Sequence, residues 1–422
     1  MRAVVVALGK IGLPLAAQIA RAGHEVVGCD VDARLVELVN AATEPFPGEA
    51  GLGAALAELV PAGRLRATTD TTAAVAEGSE LIVAVPPLFV DESARPDFGV
   101  LDSVLRDIGR GLAPGAVVSV ETTLPVGTTR GRIAPMLAEH SGLEPERDFY
   151  VVHSPERVYS GRIFRDLATY PKLVGGLSDA GEHRAIELYS SFIDAEVRPM
   201  GSAEAAEMTK LAETTYRDVN IALANEFARF ADRSGIDIDT VIDAANSQPF
   251  SHIHRPGIAV GGHCIPVYPR FYLAGDPDAR LPAAARAVNE SMPAYAVDLL
   301  ERDLGAELAG ARVLILGVTY RGEVKQTSFS GAFPLARALE HRGALVLASD
   351  PLYSESELRE LGFEPWDGDR VDAAVLQADH ASYRTLRPSD VPGARVIVDG
   401  RDVVDAEPWV AAGVPIRRIG RA

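Results

Sequence analysis

The sequence predicts an α/β fold with two doubly wound parallel sheets, joined by a helical central segment that contains one long helix. Apolar strands alternate with helical stretches through about the first 200 residues, the segment Ala203–Arg233 runs without Gly or Pro, and a second strand–helix–strand pattern begins at Arg312. Such alternation is typical of parallel sheets whose faces are covered by helices. We therefore predict two Rossmann-like domains and a helical connector.

The N-terminal half opens with a βαβ unit. Arg2–Leu8 is a continuous apolar run, as in a strand buried on both faces, and a helical pattern at Leu13–Arg21 separates it from a second strand at Glu25–Cys29. Three further apolar runs continue the alternation: Leu81–Val85, Ala116–Val120 and Phe149–His153. These elements predict a first domain over residues 1–200.

A helical segment follows from about Gly201. Ala, Leu, Glu and Met recur at helical spacing across Ala203–Arg233, and helices continue to about Leu304 around a Gly/Pro-rich loop at Gln248–Pro269. The second alternating pattern contains a helix at Ala332–His341 and strands at Arg312–Gly317, Ala344–Ser349, Ala373–Leu376 and Arg395–Val398. We predict a central helical domain at residues 201–304 and a C-terminal Rossmann-like domain at residues 305–422.

The composition excludes several classes of protein. With 422 residues, 47% hydrophobic and 24% charged, the chain has the balance of a folded protein with two or three domains. A net charge of −18 disfavours a broad electrostatic grip on nucleic acid. Two cysteines, Cys29 and Cys264, are too few for a disulfide framework or a Cys-based zinc site, and we expect no metal. No apolar run is long enough to cross a bilayer, so we expect a cytoplasmic protein with no membrane partner.

The turn after the first strand predicts a dinucleotide site. Ala7–Gly12 reads A-L-G-K-I-G, which is the G-x-G-x-x-G fingerprint with its first glycine replaced by alanine. Gly9 lets the backbone approach a pyrophosphate, and Gly12 lets the following helix pack close to the strand. About 20 residues on, the Asp30 carboxylate can bind the ribose hydroxyls of NAD and repel the 2′-phosphate of NADP. Arg34 lies nearby and could instead bind the 2′-phosphate of NADP. A tight strand-to-helix turn that binds no ligand is a further alternative. The flanking strand and helix, with Asp30 at the expected distance, favour an NAD site.

The loop Arg255–Pro269, which reads RPGIAVGGHCIPVYP, presents the second cysteine. Its glycines permit unusual backbone angles and its prolines stiffen it, so the loop can present Cys264 at the surface. Cys29, in contrast, lies in a predicted buried strand. His263 can activate the thiol or form a structural hydrogen bond. The loop alone leaves two interpretations equally open, a nucleophile or a small buried hydrophobe.

Six motifs follow one another along the chain: the Gly9–Gly12 turn, ETTLPVGTT at Glu121–Thr129, HSPERV at His153–Val158, AEMTKLAETTYRDVNIALANEFA at Ala206–Ala228, the GGHCIP loop, and LGVTYRGEVKQTSFS at Leu316–Ser330. In their order and spacing the whole chain resembles the UDP-glucose, UDP-N-acetylmannosamine and GDP-mannose 6-dehydrogenases, and it is most similar to the N-acetylmannosamine branch. The resemblance implies oxidation of a sugar C6 alcohol to a carboxylate, with two hydrides passed to two NAD molecules.

The resemblance also implies roles for individual residues. Cys264 would hold the half-oxidised sugar as a thiohemiacetal and then as a thioester. Lys210 would stabilise oxyanions or assist proton transfer, together with the hydroxyl of Thr214. Glu156 would act as acid and base with a water that Thr123 positions.

Taken without the resemblance, Lys210 and Glu156 have ordinary interpretations. Lysine on a long helix usually lies on a solvated face. A glutamate in this segment could simply pair with a neighbouring arginine, Arg157 or Arg162. The resemblance favours the catalytic roles.

Contacts to cofactor and substrate follow from the same resemblance. The expected NAD contacts are Gly9, Lys10, Ile11, Gly12, Asp30, Arg34, Pro86 and Thr123. The expected nucleotide-sugar contacts are Glu156, Arg157, Lys210, Arg255, Gly261, Tyr268, Tyr320 and Arg321. The long connector helix implies a homodimer, with an intramolecular packing helix as the alternative.

Several positions depart from the family pattern, among them the D-x-R-x-S-P motif of the second Rossmann-like domain, which here reads QTSFSG at Gln326–Gly331 and lacks its Arg and Pro. Thr214 stands where an Asn is usual, and Tyr268 where the cysteine loop more often carries an Asp. Phe250 and Ser328 stand where arginines are expected, and Arg321 takes the place of a Lys. A tyrosine with its ordinary pKa of about 10 is no general base near neutrality. We therefore expect altered contacts to the sugar or the diphosphate.

These departures keep alternatives open beside the leading prediction, a dehydrogenase acting on a UDP-hexose or a UDP-N-acetylhexosamine. One alternative is a dTDP-hexose dehydrogenase of a specialised glycosylation pathway. Another is an impaired homologue that binds NAD and a nucleotide sugar without turnover. A simpler alcohol dehydrogenase would release an aldehyde and form one NADH per sugar.

Overall fold

Two structural units make up the part of the chain that the computed structural model describes, residues 1–46, 48–159 and 161–421. The first unit is Met1–Glu213 with Arg270–Gly275, and the second is Thr214–Pro269 with Asp276–Ala422. Because the boundary falls within one continuous helix, the three-domain division stays a prediction. Within the described residues, no helix is both long and apolar enough to cross a membrane.

The first unit is built on alternating strands and helices. Its strands are β1 (Arg2–Val6), β2 (Glu25–Cys29), β3 (Leu65–Thr68), β4 (Leu81–Ala84), β5 (Phe89–Val90), β6 (Pro96–Asp97), β7 (Val117–Val120), β8 (Tyr150–His153), β9 (Lys172–Gly176) and β10 (Val197–Pro199). Its helices are α1 (Gly12–Arg21), α2 (Ala33–Asn40), α3 (Leu52–Leu59), α4 (Thr71–Ala76), α5 (Gly99–Gly111), α6 (Ala134–Ser141), α7 (Ile163–Thr169) and α8 (Asp179–Tyr189), with a π-helical turn at Thr129–Ile133.

Eight of these strands form one sheet in the order β10-β9-β8-β7-β4-β1-β2-β3. Neighbouring strands are parallel except β8 and β9, which pair antiparallel. The short strands β5 and β6 form a separate hairpin. Helix α1 buries Leu13, Leu15 and Ile19 in the same apolar cluster as Val5 of β1. Full burial of each such side chain stabilises the fold by about 1.5–3 kcal/mol.

The second unit contains a parallel sheet of five strands in the order β12-β11-β13-β14-β15. The strands are β11 (Arg312–Leu316), β12 (Leu345–Ser349), β13 (Ala373–Leu376), β14 (Ile397–Asp399) and β15 (Ile416–Arg418). Two helices cross the boundary between the units, α9 (Ala203–Ser234) and α11 (Cys264–Gly275). The other helices of the second unit are α10 (Ile238–Asn246), α12 (Arg280–Leu304), α13 (Ala332–His341), α14 (Glu355–Glu360) and α15 (Glu407–Ala411). Short 3-10 turns lie at Ala381–Thr385 and Pro388–Asp390.

The predicted fold class is confirmed, with two sheets and one helix of 32 residues between them in the chain. Three details differ. The first strand stops at Val6 because Ala7 adopts a left-handed φ of 73°. The predicted cysteine loop does not extend to Pro269, since α11 begins at Cys264. Six strands were not predicted, because none of them contains a long continuous apolar run: β3, β5, β6, β9, β10 and β15.

A buried polar cluster joins α9 to α12 in the second unit. The Arg286 guanidinium donates two hydrogen bonds to the Asp218 carboxylate, at 2.6 and 2.7 Å. The Asn289 amide also donates to that carboxylate at 2.8 Å, and Asn225 donates to Asn289 at 2.9 Å. All four residues are buried. Each buried polar group therefore depends on its partner inside the unit.

Replacing Asp218 with alanine is expected to reduce the free energy of unfolding by about 3–5 kcal/mol, because the buried Arg286 charge then keeps only the exposed Glu290 carboxylate, at 3.8 Å, as an acidic neighbour. Urea denaturation measures the loss. Asp298→Asn is the matched control, since Asp298 pairs with Arg342 on the surface, where such pairs contribute about 0–1 kcal/mol. Equal losses in the two variants would contradict the assignment.

Candidate active site

The carboxyl ends of five strands meet at one edge of the first sheet. Strands β1, β2, β4, β7 and β8 run parallel, so the loops after them lie along the same edge. The predicted cofactor and catalytic residues of this unit follow those strands: Gly9, Asp30, Pro86, Thr123 and Glu156. Chain order reverses beside β1, which lies between β2 and β4, and such switch points form the ligand crevice of open α/β sheets.

The turn after β1 has the close approaches that a pyrophosphate loop requires. A Cβ at Gly12 would lie 2.0 Å from the Ala7 carbonyl oxygen, so α1 can start here only with glycine. Gly9, in contrast, faces open space, which leaves room for a ligand against the backbone. Lys10 is exposed and Ile11 precedes the first residue of α1. Ala7 adopts the positive φ that the missing glycine would adopt without strain.

Asp30 ties the turn to the end of β2. One carboxylate oxygen accepts a hydrogen bond from the Leu8 amide at 2.8 Å, and the other accepts from the Asp32 amide at 3.0 Å. A carboxylate has about four acceptor positions, so two remain for ribose hydroxyls. Arg34 is exposed on α2. The cradle at Gly9 and Gly12 together with Asp30 fits a dinucleotide.

A buried glutamate fixes the loop that follows β7. The Glu207 carboxylate, on α9, accepts hydrogen bonds from the amides of Gly127 (2.6 Å) and Thr129 (2.8 Å) and from the Thr129 hydroxyl (2.6 Å). Burial raises the pKa of Glu207, and these donors oppose that effect. The loop carrying Thr123 is thus anchored to α9 about one turn before Lys210, which is half-buried.

The Thr123 side of the crevice is closely packed. Thr123 is buried, and the adjacent Thr122 hydroxyl donates to the Pro86 carbonyl at 2.5 Å. Thr214, one turn beyond Lys210 on α9, is also buried. Residues spaced by four on a helix share a face, so α9 presents Lys210 and Thr214 in the same direction.

The ion-pair partner of Glu156 is a lysine, Lys172 at the start of β9, at 3.0 Å. The interpretation that Glu156 pairs with Arg157 or Arg162 is wrong. Arg157 pairs with Glu213 at 2.5 Å, and Arg162 pairs with Asp166 at 3.1 Å.

The second Glu156 oxygen accepts hydrogen bonds from the backbone amides of Arg157, at 2.7 Å, and Val158, at 3.1 Å. Both oxygens are thereby fixed in direction. The Lys172 ammonium also contacts Glu121, at 2.7 Å. Burial raises the pKa of Glu121 to about 7. Burial would also raise the pKa of Glu156, but the Lys172 charge outweighs it and the pKa is lowered.

In the second unit, Cys264 is exposed and is the first residue of α11. The glycines before it allow a close approach to the loop after β11, because a Cβ at Gly261 would lie 2.7 Å from the Tyr320 Cβ. Gly262 has a φ of 83°, and its amide donates to the Ser328 carbonyl at 2.9 Å. The first amides of a helix lack partners within it and favour negative charge. Cys264 is therefore exposed at the N-terminal end of a helix.

Aromatic and charged groups surround the cysteine turn. The ring nitrogen of His263 lies 3.3 Å from the Tyr268 hydroxyl, and the two rings meet edge to face. Tyr320 is half-buried, and burial raises the pKa of its hydroxyl. The Arg321 guanidinium lies 5.6 Å from the Tyr320 ring centre. His263 thus contacts Tyr268 through its ring and one ring nitrogen.

The segment before the cysteine is held by α9. Asn220 donates to the His252 carbonyl at 2.7 Å and accepts from the His254 amide at 3.0 Å. Asn225 accepts from the Gly257 amide at 3.0 Å, which links the buried Asp218 cluster to this loop. Arg255 is exposed and paired with Asp239 at 2.8 Å and with Asp243.

The sequence analysis did not single out several charged residues that the structure places at the candidate site. Glu121, Lys172 and Glu207 are charged residues placed beside or within apolar patterns, which is the signal that marks them. Arg401, after β14, was also missed. Its Nη1 atom lies 3.6 Å from a Cβ built at Gly257, its Nε donates to the Gln377 carbonyl at 2.7 Å, and burial lowers its pKa. A cation thus lies beside the cysteine loop.

The sheet edge, the glycine turn and Asp30 are typical of a Rossmann-type, dinucleotide-dependent oxidoreductase. Sequence models of the UDP-glucose/GDP-mannose dehydrogenase family match the chain in three parts, the NAD binding domain at residues 1–193, the central domain at 204–291 and the UDP binding domain at 314–406. The chain belongs to this family. It is a nucleotide-sugar dehydrogenase whose cofactor is NAD.

Known proteins resemble the chain over its full length. It is 34% identical to the UDP-N-acetyl-D-mannosamine dehydrogenase of Pyrococcus horikoshii, covering 100% of this chain and 99% of the relative. The structure of the UDP-D-ManNAc dehydrogenase from that organism has a TM-score of 0.90 at 33% identity, with 100% and 99% coverage. A UDP-glucose dehydrogenase from Pyrobaculum islandicum has a TM-score of 0.88 at 27% identity, with 100% and 98% coverage.

Proposed function

We propose that the protein oxidises the C6 alcohol of a UDP-hexose or UDP-N-acetylhexosamine to the uronic acid, with two NADH formed per sugar. The exposed cysteine at the start of α11 carries this proposal, because an aldehyde must be held between two oxidations. The similarity to UDP-N-acetyl-D-mannosamine dehydrogenases over the whole chain favours a UDP-N-acetylhexosamine.

Each residue has a defined task in this proposal. Bound NAD supplies the hydride acceptor in both oxidation stages. The Cys264 sulfur bonds to the aldehyde carbon, giving first a thiohemiacetal and then a thioester. Lys210 donates to the sugar oxygen as negative charge develops on it. Glu156 takes a proton from the attacking water when the thioester is hydrolysed, and Thr123 orients that water.

The experiment is a substrate panel. Purified protein is incubated with NAD and each of several UDP-, dTDP- and GDP-sugars, and NADH and uronic acid are quantified. Two NADH per UDP-sugar consumed support the proposal. One NADH with release of an aldehyde would show a simple alcohol dehydrogenase, and binding without NADH would show an impaired homologue.

The runner-up substrate is a dTDP-hexose. Phe250 is 92% exposed where the family pattern has an arginine, and Ser328 replaces another. Arg401 supplies a cation beside the cysteine loop, and this charge partly compensates for the two missing arginines. Faster turnover of a dTDP-sugar than of every UDP-sugar in the panel would replace the leading substrate.

Asp30→Ala is expected to reduce the preference for NAD over NADP by roughly 10-fold or more, because the carboxylate that binds ribose hydroxyls and repels a 2′-phosphate is removed. Steady-state kcat/KM with each cofactor measures the ratio. Asp32→Ala is the control, since Asp32 caps the start of α2. An unchanged ratio of kcat/KM with NAD to kcat/KM with NADP in Asp30→Ala would show that this carboxylate does not discriminate between the two cofactors.

A homodimer is proposed from the surface of α9. Apolar side chains are exposed at helical spacing from the middle of the helix toward its C-terminal end: Tyr216, Leu223, Phe227 and Phe230. An exposed apolar stripe of this kind is typical of a protein interface. Light scattering after gel filtration tests it, and a monomer at micromolar concentration would refute it.

A further inference from the structure

A buried charged group lies directly behind Glu156, formed by Glu121, Lys172 and Glu156 itself. The Lys172 ammonium lies 2.7 Å from the Glu121 carboxylate and 3.0 Å from the Glu156 carboxylate. Their side chains are 4%, 0% and 11% exposed for Lys172, Glu121 and Glu156. We propose that Lys172 is a positioning residue for Glu156, and that Glu121 is the counter-charge that holds Lys172 in place. This inference rests on the proposed acid/base role of Glu156.

The antiparallel strand β9 explains how Lys172 reaches this place. Val152 pairs with Gly176 and His153 with Gly175, and the same register continued past β8 sets Glu156 opposite Lys172. The Ser154 hydroxyl donates to the Leu173 carbonyl at 2.7 Å, which keeps the two segments together beyond the strand. A parallel β9 would carry its first residue to the opposite edge of the sheet. The reversal therefore delivers a cation to the catalytic edge.

Stability alone does not account for the group. Removing charges from water costs several kcal/mol per ion, and a well-packed apolar replacement of a buried ion pair is often neutral or stabilising. The three charges lie on the loop after β7, at the start of β9 and on the loop after β8. They meet at the edge that carries the cofactor turn. We therefore attribute the placement of these three charges to a role in the chemistry at that edge of the sheet.

Other ionisable groups face this set from the neighbouring elements. The Tyr189 hydroxyl on α8 lies 2.5 Å from Glu121 and 2.8 Å from the Ser119 hydroxyl. His153 on β8 is fully buried, and burial lowers its pKa to about 3, so its ring is neutral. Arg157 directs its guanidinium to Glu213 on α9. Lys172 is therefore the cation that contacts Glu156 within the described part of this unit.

The charges divide unequally between the two carboxyl groups. Burial would lower the pKa of Lys172, but the two carboxylates outweigh it and raise the pKa, so the lysine stays protonated. Burial raises the pKa of Glu121 to about 7, and Lys172 holds the pKa of Glu156 below its ordinary value. As the pH falls, Glu121 is therefore the first of the two carboxyl groups to be protonated, while Glu156 stays ionised and ready to accept a proton from water.

Three variants test the inference: Lys172→Met, Lys172→Arg and the double variant Glu121→Gln/Lys172→Met. The activity of a base-requiring enzyme falls as pH drops through the pKa of the base. Loss of the cation raises that pKa, so Lys172→Met should shift the acid limb of kcat upward by about one pH unit or more. Separately, loss of the contact that fixes one oxygen of the Glu156 carboxylate should reduce kcat at pH 7 roughly 10-fold, because the base is no longer held in its productive direction. The KM for the sugar and the dissociation constant of NAD should change little, and Lys172→Arg should restore most of kcat.

The double variant keeps the test informative if Lys172→Met does not fold. It removes the buried lysine and its counter-charge together, so no unpaired ion other than Glu156 remains, and its acid limb should also move upward. An unmoved acid limb in the double variant would overturn the inference. So would a Lys172→Arg enzyme as slow as Lys172→Met, or a loss confined to KM.

A direct titration separates this inference from the proposed function. With ¹³C-labelled glutamate, the Glu156 carboxyl signal is assigned by its loss in Glu156→Gln and followed against pH in the wild type and the double variant. The pKa of Glu156 should be higher in the double variant, and equal values would refute the positioning role. If no nucleotide sugar yields NADH, the proposed function fails, while this titration still decides the role of Lys172.

Discussion

Cys264→Ser will show NADH formation reduced on the order of 10³-fold or more, because a serine hydroxyl cannot replace the thiolate as the group that holds the aldehyde between oxidations. Steady-state NADH formation with the preferred nucleotide sugar measures the loss. Binding of NAD should be unaffected, since the glycine turn and Asp30 belong to the first unit. Full activity in this variant would remove the covalent mechanism.

The second cysteine is the matched control. Cys29 is buried in β2, and burial raises the pKa of its thiol to about 12, so it is protonated at any working pH. Cys29→Ser should therefore retain turnover once correctly folded protein is selected by thermal unfolding. Iodoacetamide should label one site in the wild type and in Cys29→Ser, and none in Cys264→Ser. Labelling of Cys264→Ser at the wild-type rate would contradict the assigned exposure.

Glu156→Gln will reduce kcat by about 10²–10⁴-fold, because the glutamine amide cannot take the proton of the attacking water. Hydrolysis of the thioester should be slowed most. Rapid mixing is expected to show a burst of two NADH per active site followed by a slow phase. Intact-protein mass spectrometry should detect the sugar acid bound to Cys264. A slow enzyme without a burst and without an adduct would assign Glu156 to an earlier step.

The pH dependence of the wild type follows from the depressed pKa of Glu156. The base is present above that pKa and is lost as the pH falls through it, so kcat should be insensitive to this group near neutrality and fall only in acid. Glu187→Gln on α8 is the matched control, because Glu187 is an exposed partner of Arg184. It should retain the wild-type kcat and pH profile.

Most strands of the two sheets could be predicted from continuous apolar runs, and the long helix from the absence of Gly and Pro. Short strands such as β10 could not, because three residues, two of them exposed, carry no periodic signal. The glycine turn could also be predicted from the sequence, because glycine is required at Gly12 by its close contact with Ala7, only five residues earlier, and not by a residue distant in the chain. The start of α11 at Cys264 was not, because the prolines of that segment are typical of a loop.

By itself, the sequence determined the fold class and the cofactor, and it predicted which groups react, because these depend on local periodicity, on a turn of six residues and on side-chain chemistry. Only the tertiary structure decided which groups act together. Lys172 and Glu156 are 16 residues apart in the chain, and Lys172 and Glu121 are 51 apart. Their contact depends on one antiparallel strand pairing, and strand direction is a property of the folded sheet that no local pattern encodes.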